Sequence, residues 1–220
     1  MNAPSRWVGG SGLGFSVLTL YALVGPPWPP PGDATATIWQ AHLASQSNRL
    51  WLLGAALAAT VAGILFLAFM SGLREHGIFA QPDWLGAFAH GCGVIFVVSI
   101  IAAWAAWASI PAGVQISGEP VPSGELIRFF NDLGQAHVAF PAPLFAGGFA
   151  IAAAIAAKRT SALPRWLSRS GFIVGVAQLA GSLFFPLLLF PIWIALVGVV
   201  LLARPSNGEP TGAGEEVAAP

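Results

Sequence analysis

The chain has 220 residues, 56% hydrophobic and 8% charged, with zero formal net charge and a mean hydropathy of +0.74. A soluble domain carries about 25% charged residues, so this chain cannot cover a water-exposed surface and reads as an integral membrane protein. The neutral balance excludes a basic nucleic-acid face, and the lone Cys92 excludes an internal disulfide and clustered zinc motifs.

Spanning helices need roughly 20 apolar residues, with a range of about 17–25. The first runs over 8–25 and stops at the proline block Pro26, Pro27, Pro29, Pro30 and Pro31. A signal peptide is the competing reading of this segment, through Arg6 and Ala34-x-Ala36, but the proline block speaks against it. The outer loop that follows carries Trp28 and Trp39, expected as interface anchors. The second span covers 50–73 and ends in Arg74-Glu75; its Gly54, Ala58 and Ala62 form a small-residue stripe suited to packing within or between chains. The third covers 84–109 and is closed by Pro111.

The second outer loop predicts a short amphipathic helix in the outer interface. Ser123 caps it, Leu126, Phe129, Phe130, Leu133 and His137 share its apolar face, and Glu125, Arg128, Asp132 and Gln135 line the other. It closes the bundle's outer end; a lid over a site is the sharper alternative. The fourth span covers 141–157 and ends in Lys158-Arg159. The basic loop from Lys158 to Gly171 sets orientation, with contact to anionic headgroups as a further possibility.

The uncharged run from Gly171 to Ala203 would make one helix of about 50 Å, too long for a ~30 Å hydrocarbon core. Phe185-Pro186 and Phe190-Pro191 divide it into spans over 171–185 and 188–203. Six spans place Arg6, Arg74, Lys158, Arg159, Arg165, Arg169 and Arg204 on one side, and Arg49 and Arg128 on the other. The positive-inside rule then puts both termini in the cytoplasm. Residues 205–220, rich in Pro, Gly and Glu, read as a disordered cytoplasmic tail.

No Asp, Glu, Lys or Arg lies deep in any span, which disfavours ion-coupled transport and voltage sensing. The stretch AFAHGCGVIF, 87–96, places His90 and Cys92 two residues apart, about 200° around a helix. They cannot readily share a ligand. His90 lies on a stripe with Gly86, Gly93 and Val97, so it is expected to face a neighbouring helix. Gln178 sits at similar depth in span five among Gly171, Val174, Gly175, Gly181 and Ser182, and Ser16 at a comparable level in span one. His90, Gln178 and Ser16 are the candidate intramembrane polar layer. The first expectation for it is hydrogen-bonded packing; a binding site is the second.

No cofactor and no catalytic or metal-ligand set is expected. A di-histidine haem needs two histidines at matching depth. His42, His137, Asp132 and Glu125 gather into a metal site only if the fold brings them together. Gly9 to Gly12, GGSG, resembles the serine motif of rhomboid proteases, but no late-span histidine follows to act as base.

In Leu73-Arg74 closing span two, LPRWL at 163–167 and Phe190-Pro191-Ile192-Trp193 opening span six, the chain resembles small six-span bacterial membrane proteins of unknown function. That resemblance implies architecture and no activity. The abundance of Ala, Gly, Pro and Trp, with Lys158 the sole lysine, also suggests a GC-rich bacterium. The expectation is therefore an all-α bundle of six transmembrane helices plus an outer amphipathic helix in the bacterial cytoplasmic membrane. Its expected partner is the lipid bilayer and not nucleic acid; a protein partner or a second copy of the chain is left open. A non-enzymatic accessory or assembly role ranks first. A carrier or binder of a small apolar or lipidic molecule, through a cavity near His90 and Gln178, ranks second, and an enzyme third.

Overall fold

The computed structural model describes residues 6–75, 77–79, 84–180 and 184–203. Among them the chain forms eight α-helices and no strand: α1 (Arg6–Val24), α2 (Ala36–Ala44), α3 (Gln46–Glu75), α4 (Trp84–Ile116), α5 (Gly124–Ala139), α6 (Pro141–Thr160), α7 (Arg165–Leu179) and α8 (Phe184–Ala203). The tail at 205–220, Arg204, and Gly181 and Ser182 of the expected seam lie outside the described residues.

Among the described residues, five stretches are long and apolar enough to cross a membrane: α1, α3, α4, the run Gly124–Thr160 and the segment Pro186–Ala203. Helices suit this solvent because every backbone polar group is satisfied within the segment. The described residues differ from the expected six spans plus an interfacial helix at two places. First, α7 has 15 residues, about 22 Å at 1.5 Å per residue, and its opening turns are spent on Arg165 and Arg169.

Second, α5 does not lie across the bundle end. Only Phe140 separates it from α6, and the amide of Leu144 still bonds the Phe140 carbonyl. Gly134 packs on Trp107 of α4, and Gly148 on Cys92. Between them, Ala103 shares a core with Val138. Those pairings follow one antiparallel register, so α5 and α6 together run beside α4. Gly134 against the Trp107 indole allows this close approach, and Gly124 allows the same on the Ala36 backbone of α2. The buried stripe is consequently Gly124, Ile127, Gly134 and Val138, whereas Leu126, Phe129 and Leu133 of the expected apolar face are exposed. Ser123 does cap α5, accepting from the Leu126 amide.

Boundaries move for similar reasons. α4 continues through Pro111 to Ile116, because proline's cost to one turn is local and Pro111 is buried. α8 begins at Phe184, ahead of the expected reversal at Pro186, which its first turn tolerates.

The packing order is a closed ring: α1 on α3, α3 on α4, α4 on α6, α6 on α7, α7 on α8 and α8 on α1. Arg6, Arg74, Lys158, Arg159, Arg165 and Arg169 mark one end, here the basic end; α2 and α5 mark the other, the capped end. Glycines set the tightest seams. A Cβ on Gly147 would lie 2.8 Å from the Gly175 carbonyl, and one on Gly175 2.9 Å from the Gly147 carbonyl. Gly9 and Gly198 oppose each other likewise, at 2.7 and 2.8 Å. The GGSG run is thus a helix contact, and its Ser11 hydroxyl donates to the Val8 carbonyl at 2.8 Å. Ala58 and Ala62 also pack inward, although Gly54 is exposed.

Inside the ring, Phe15, Phe66, Phe96, Phe149 and Phe190 converge from α1, α3, α4, α6 and α8. Phe66 is 4.8 Å from Phe15, 5.4 Å from Phe96, 5.1 Å from Phe149 and 5.7 Å from Phe190 between ring centroids. The three last contacts are edge-on, the geometry that aromatic quadrupoles favour. This layer fills the bundle at mid-depth.

Candidate functional site

The sequence-derived polar layer does not assemble as expected. Ser16 and Gln178 are buried, but His90 is exposed on the side of α4 that also carries Ala87 and Gly91. Packing decides this rotation. Gly86, Ala89, Gly93 and Phe96 form the inward face, and Gly93 rests on Met70 of α3. His90 falls beside that stripe, so its expected burial is corrected. Cys92 is buried and touches Gly148 of α6. The two residues of AFAHGCGVIF therefore point to different surroundings.

Ser16 donates to the Gly12 carbonyl at 2.8 Å within its own helix. Gln178, 1% exposed, donates through Nε2 to the Pro186 carbonyl, tying α7 to the start of α8, and its Oε1 has no partner among the described residues. Gln178 borders a recess with Phe140, Pro143 and Leu144, without His90. The cavity expected between His90 and Gln178 is replaced by one elsewhere.

That cavity lies at the capped end. It measures about 100 Å³ and is walled by Trp28, Trp39, Trp104, Trp107 and Phe130, with Pro26, Pro27 and Pro29 along one side. α3 and α4, of 30 and 33 residues, are about 45 and 50 Å long and outreach a ~30 Å core. Their extensions, with α2 and the flanking α5, border this half-open space. Each cover is fastened. Gln40 of α2 donates to the Pro122 carbonyl at 3.0 Å. Arg49 donates to the carbonyls of Leu43 and Ala44 at 2.8 and 2.7 Å, a cation on the negative end of α2. Trp107 donates to the Asn131 carbonyl at 3.1 Å.

Trp39 carries the chemical interest. It was expected at a membrane interface, yet it is 2% exposed, packed with Leu43 and Ile127. Its indole Nε1–H has no acceptor among the described residues. A buried donor left unpaired costs about 1–3 kcal/mol. Trp28, by contrast, is exposed.

His42 lines the same cavity. Asn48 Nδ2 donates to the His42 carbonyl at 2.8 Å, which fixes the amide's orientation, and the same nitrogen lies 3.3 Å from His42 Nδ1. Nδ1 must then accept, leaving the ring proton on Nε2. Burial holds the His42 pKa below its ordinary value of 6.5, so the neutral imidazole is the resting form at neutral pH. The lining residues thus combine apolar ring walls with two side chains, Trp39 and His42, that each carry an N–H donor.

The sign of the pH effect follows from that depressed pKa. Between the folded value and 6.5, the unfolded chain binds more protons than the folded chain, so stability falls as pH drops. The loss starts near pH 6.5 and levels off below the folded pKa. We expect the thermal midpoint to decline on acidification from pH 7.5 toward about 5, with part of that decline absent in His42→Gln. An identical pH profile for the variant is the contrary result.

The outer acidic and histidine residues do not converge. His137 Nδ1 meets the Leu133 carbonyl at 2.9 Å, and Asp132 pairs with Arg128 at 3.8 Å. Among the described residues, no three His, Cys, Asp or Glu side chains are grouped to hold a metal. The pocket is not legible in the sequence because its walls come from segments up to about a hundred positions apart; the available local signal was Trp28 and Trp39 next to the proline block. Comparison with protein-family models, curated proteins and solved structures found no match.

Proposed function

We propose that this chain is a membrane protein that binds a small uncharged molecule, with an apolar body and a hydrogen-bond acceptor, in the aromatic pocket at its capped end. The buried, unpartnered Trp39 indole in the pocket wall carries this reading. An acceptor such as a carbonyl oxygen satisfies that N–H, and the rings supply dispersion contacts. An apolar cavity of ~150 Å³ takes up benzene, so this smaller, half-open space of about 100 Å³ suits a chain terminus, or one ring that partly fills its mouth. A purely scaffolding accessory role, the first expectation from sequence, leaves the buried donor unexplained.

The same proposal sets the frame around the pocket. α7 counts as a sixth, short crossing, supported by its antiparallel packing between α6 and α8. The location is a bacterial cytoplasmic membrane, with the basic end and both termini in the cytoplasm, supported by Arg and Lys at that end. The likeness to small six-span bacterial membrane proteins belongs to this frame.

The matched probes are acetophenone and ethylbenzene, which differ by the acceptor. Acetophenone is expected to stabilise the purified protein more, with about fivefold tighter binding from one hydrogen bond of about 1 kcal/mol. Trp39→Phe keeps an aromatic six-membered ring, removes the pyrrole ring with its donor, and widens the pocket slightly. It should abolish the acetophenone advantage and preserve ethylbenzene binding. Persistence of the advantage in Trp39→Phe sinks the reading.

A further inference from the structure

We infer that the basic end carries a second, independent site, for the phosphate group of an anionic lipid, in the corner between α6 and α7. A recess of about 1140 Å³ opens there, lined by Lys158, Arg165 and Arg169 together with Ser161 and Ser168. Among the described residues no carboxylate lines it. Charge alone would make this an orienting loop, but three further features make it a built site.

The first is Ser168. It is 6% exposed, lines the recess, and its buried hydroxyl has no hydrogen-bond partner among the described residues. A serine in a helix commonly returns its hydroxyl proton to a carbonyl one turn back, as Ser16 and Ser99 do here. Ser168 does not, so a donor is held ready for an acceptor. The second is the N-terminus of α7. The Pro164 carbonyl takes the amides of Leu167 and Ser168, whereas those of Arg165 and Trp166 precede the helix's own ladder. The positive end of the helix dipole adds to the three cations, an arrangement that favours phosphate.

The third feature selects a lipid as source. Ile155, Phe172 and Ile173 continue the lining away from the charges, and Phe172 and Ile173 are exposed on the α7 surface. A phosphate at Ser168 therefore has an apolar track beside it for an acyl chain. α6 ends close by, where its terminal carbonyls would repel an anion. There the amide of Ala162 satisfies the Ala157 carbonyl, and Lys158 and Arg159 occupy the last turn. The recess is at the opposite end from the aromatic pocket and does not depend on it.

Native mass spectrometry of the full chain, delipidated in detergent, tests the site. The probes are phosphatidylglycerol, phosphatidylcholine and soluble glycerol phosphate. Phosphatidylglycerol is expected to be retained about fivefold or more over phosphatidylcholine, with each guanidinium removed in Arg165→Gln or Arg169→Gln costing about fivefold. Ser168→Ala should reduce retention about threefold, near the scale of one net hydrogen bond. Arg165 and Arg169 are exposed, so those variants report even if Ser168→Ala folds poorly. Arg159→Gln removes a nearby charge outside the lining and should change retention less than twofold. Binding of glycerol phosphate with the same dependence on Arg165 and Ser168 supports the phosphate site with a soluble ester as its source. Equal retention of phosphatidylglycerol by wild type and the lining variants, or an equal loss in Arg159→Gln, overturns the inference.

Discussion

Phe66→Ala is expected to lower the stability of the purified protein by about 3 kcal/mol, near the lower end of the 3–5 kcal/mol range for Phe→Ala in cores. Phe66 is fully buried and contacts the rings of Phe15, Phe69, Phe96, Phe149 and Phe190. Within a bilayer, lipid tails are as apolar as the ring, so transfer from water contributes little to packing between helices. The loss is instead one of dispersion and cavity. Removing the ring opens roughly 100 Å³, and at about 24 cal/mol per Å³ this alone gives about 2.4 kcal/mol. The edge-on contacts, each worth about 0.5–1.5 kcal/mol, bring further loss, only partly recovered by relaxation. A drop of about 6–12 °C in thermal midpoint corresponds to this energy in a chain of such size. Phe129→Ala is the matched comparison: Phe129 is 60% exposed and should shift the midpoint little. Equal shifts for the two variants would show that the phenylalanine layer is not the core of the fold.

Gly175→Val should separate α6 from α7. A Cβ at that position lies 2.9 Å from the Gly147 carbonyl oxygen and 3.1 Å from the Ile151 amide nitrogen. Those are backbone atoms, which cannot rotate away as a side-chain tip does. Overpacking of this kind costs about 1–3 kcal/mol, and α7, with only 15 residues, has few other contacts with which to compensate. The expected readout is a lowered thermal midpoint together with faster proteolysis in the 161–164 connection. Gly91→Ala is the opposing control. Nothing lies within 4 Å of its would-be Cβ, so the exchange should stabilise the helix by up to about 1 kcal/mol. If Gly175→Val matches wild type in both measurements, the Gly147–Gly175 contact is not what seats α7.

These two sites differ in how visible they were beforehand. Gly171 and Gly175 stand at helical spacing, and both make close contacts, Gly171 on Trp193 and Gly175 on α6. The phenylalanine layer has no such local mark. Its members are separated by 30 to 53 positions in the chain, and nothing in the neighbourhood of Phe15 announces Phe190. His90 shows the limit of a stripe reading. Gly86 and Gly93 do face inward, but a helix buries only part of its circumference, and a rotation of tens of degrees carries the residue between them to the surface. α5 shows the same limit. It has two adjacent apolar stripes, and the one with glycines packed inward because it brings the backbones closer.

Membrane class, most of the long helical segments, charge asymmetry and the close-packed face of Gly171 and Gly175 were therefore determined by the sequence alone. Each expresses a constraint that acts along the chain: satisfaction of backbone groups in lipid, span length, and room for close approach. Tertiary structure alone decided that His90 turns outward, that Trp39 and His42 wall one cavity, and that five phenylalanines fill the axis. Those outcomes depend on the relative rotation of helices. That rotation is set by the sum of many weak contacts across the bundle, which no single segment contains.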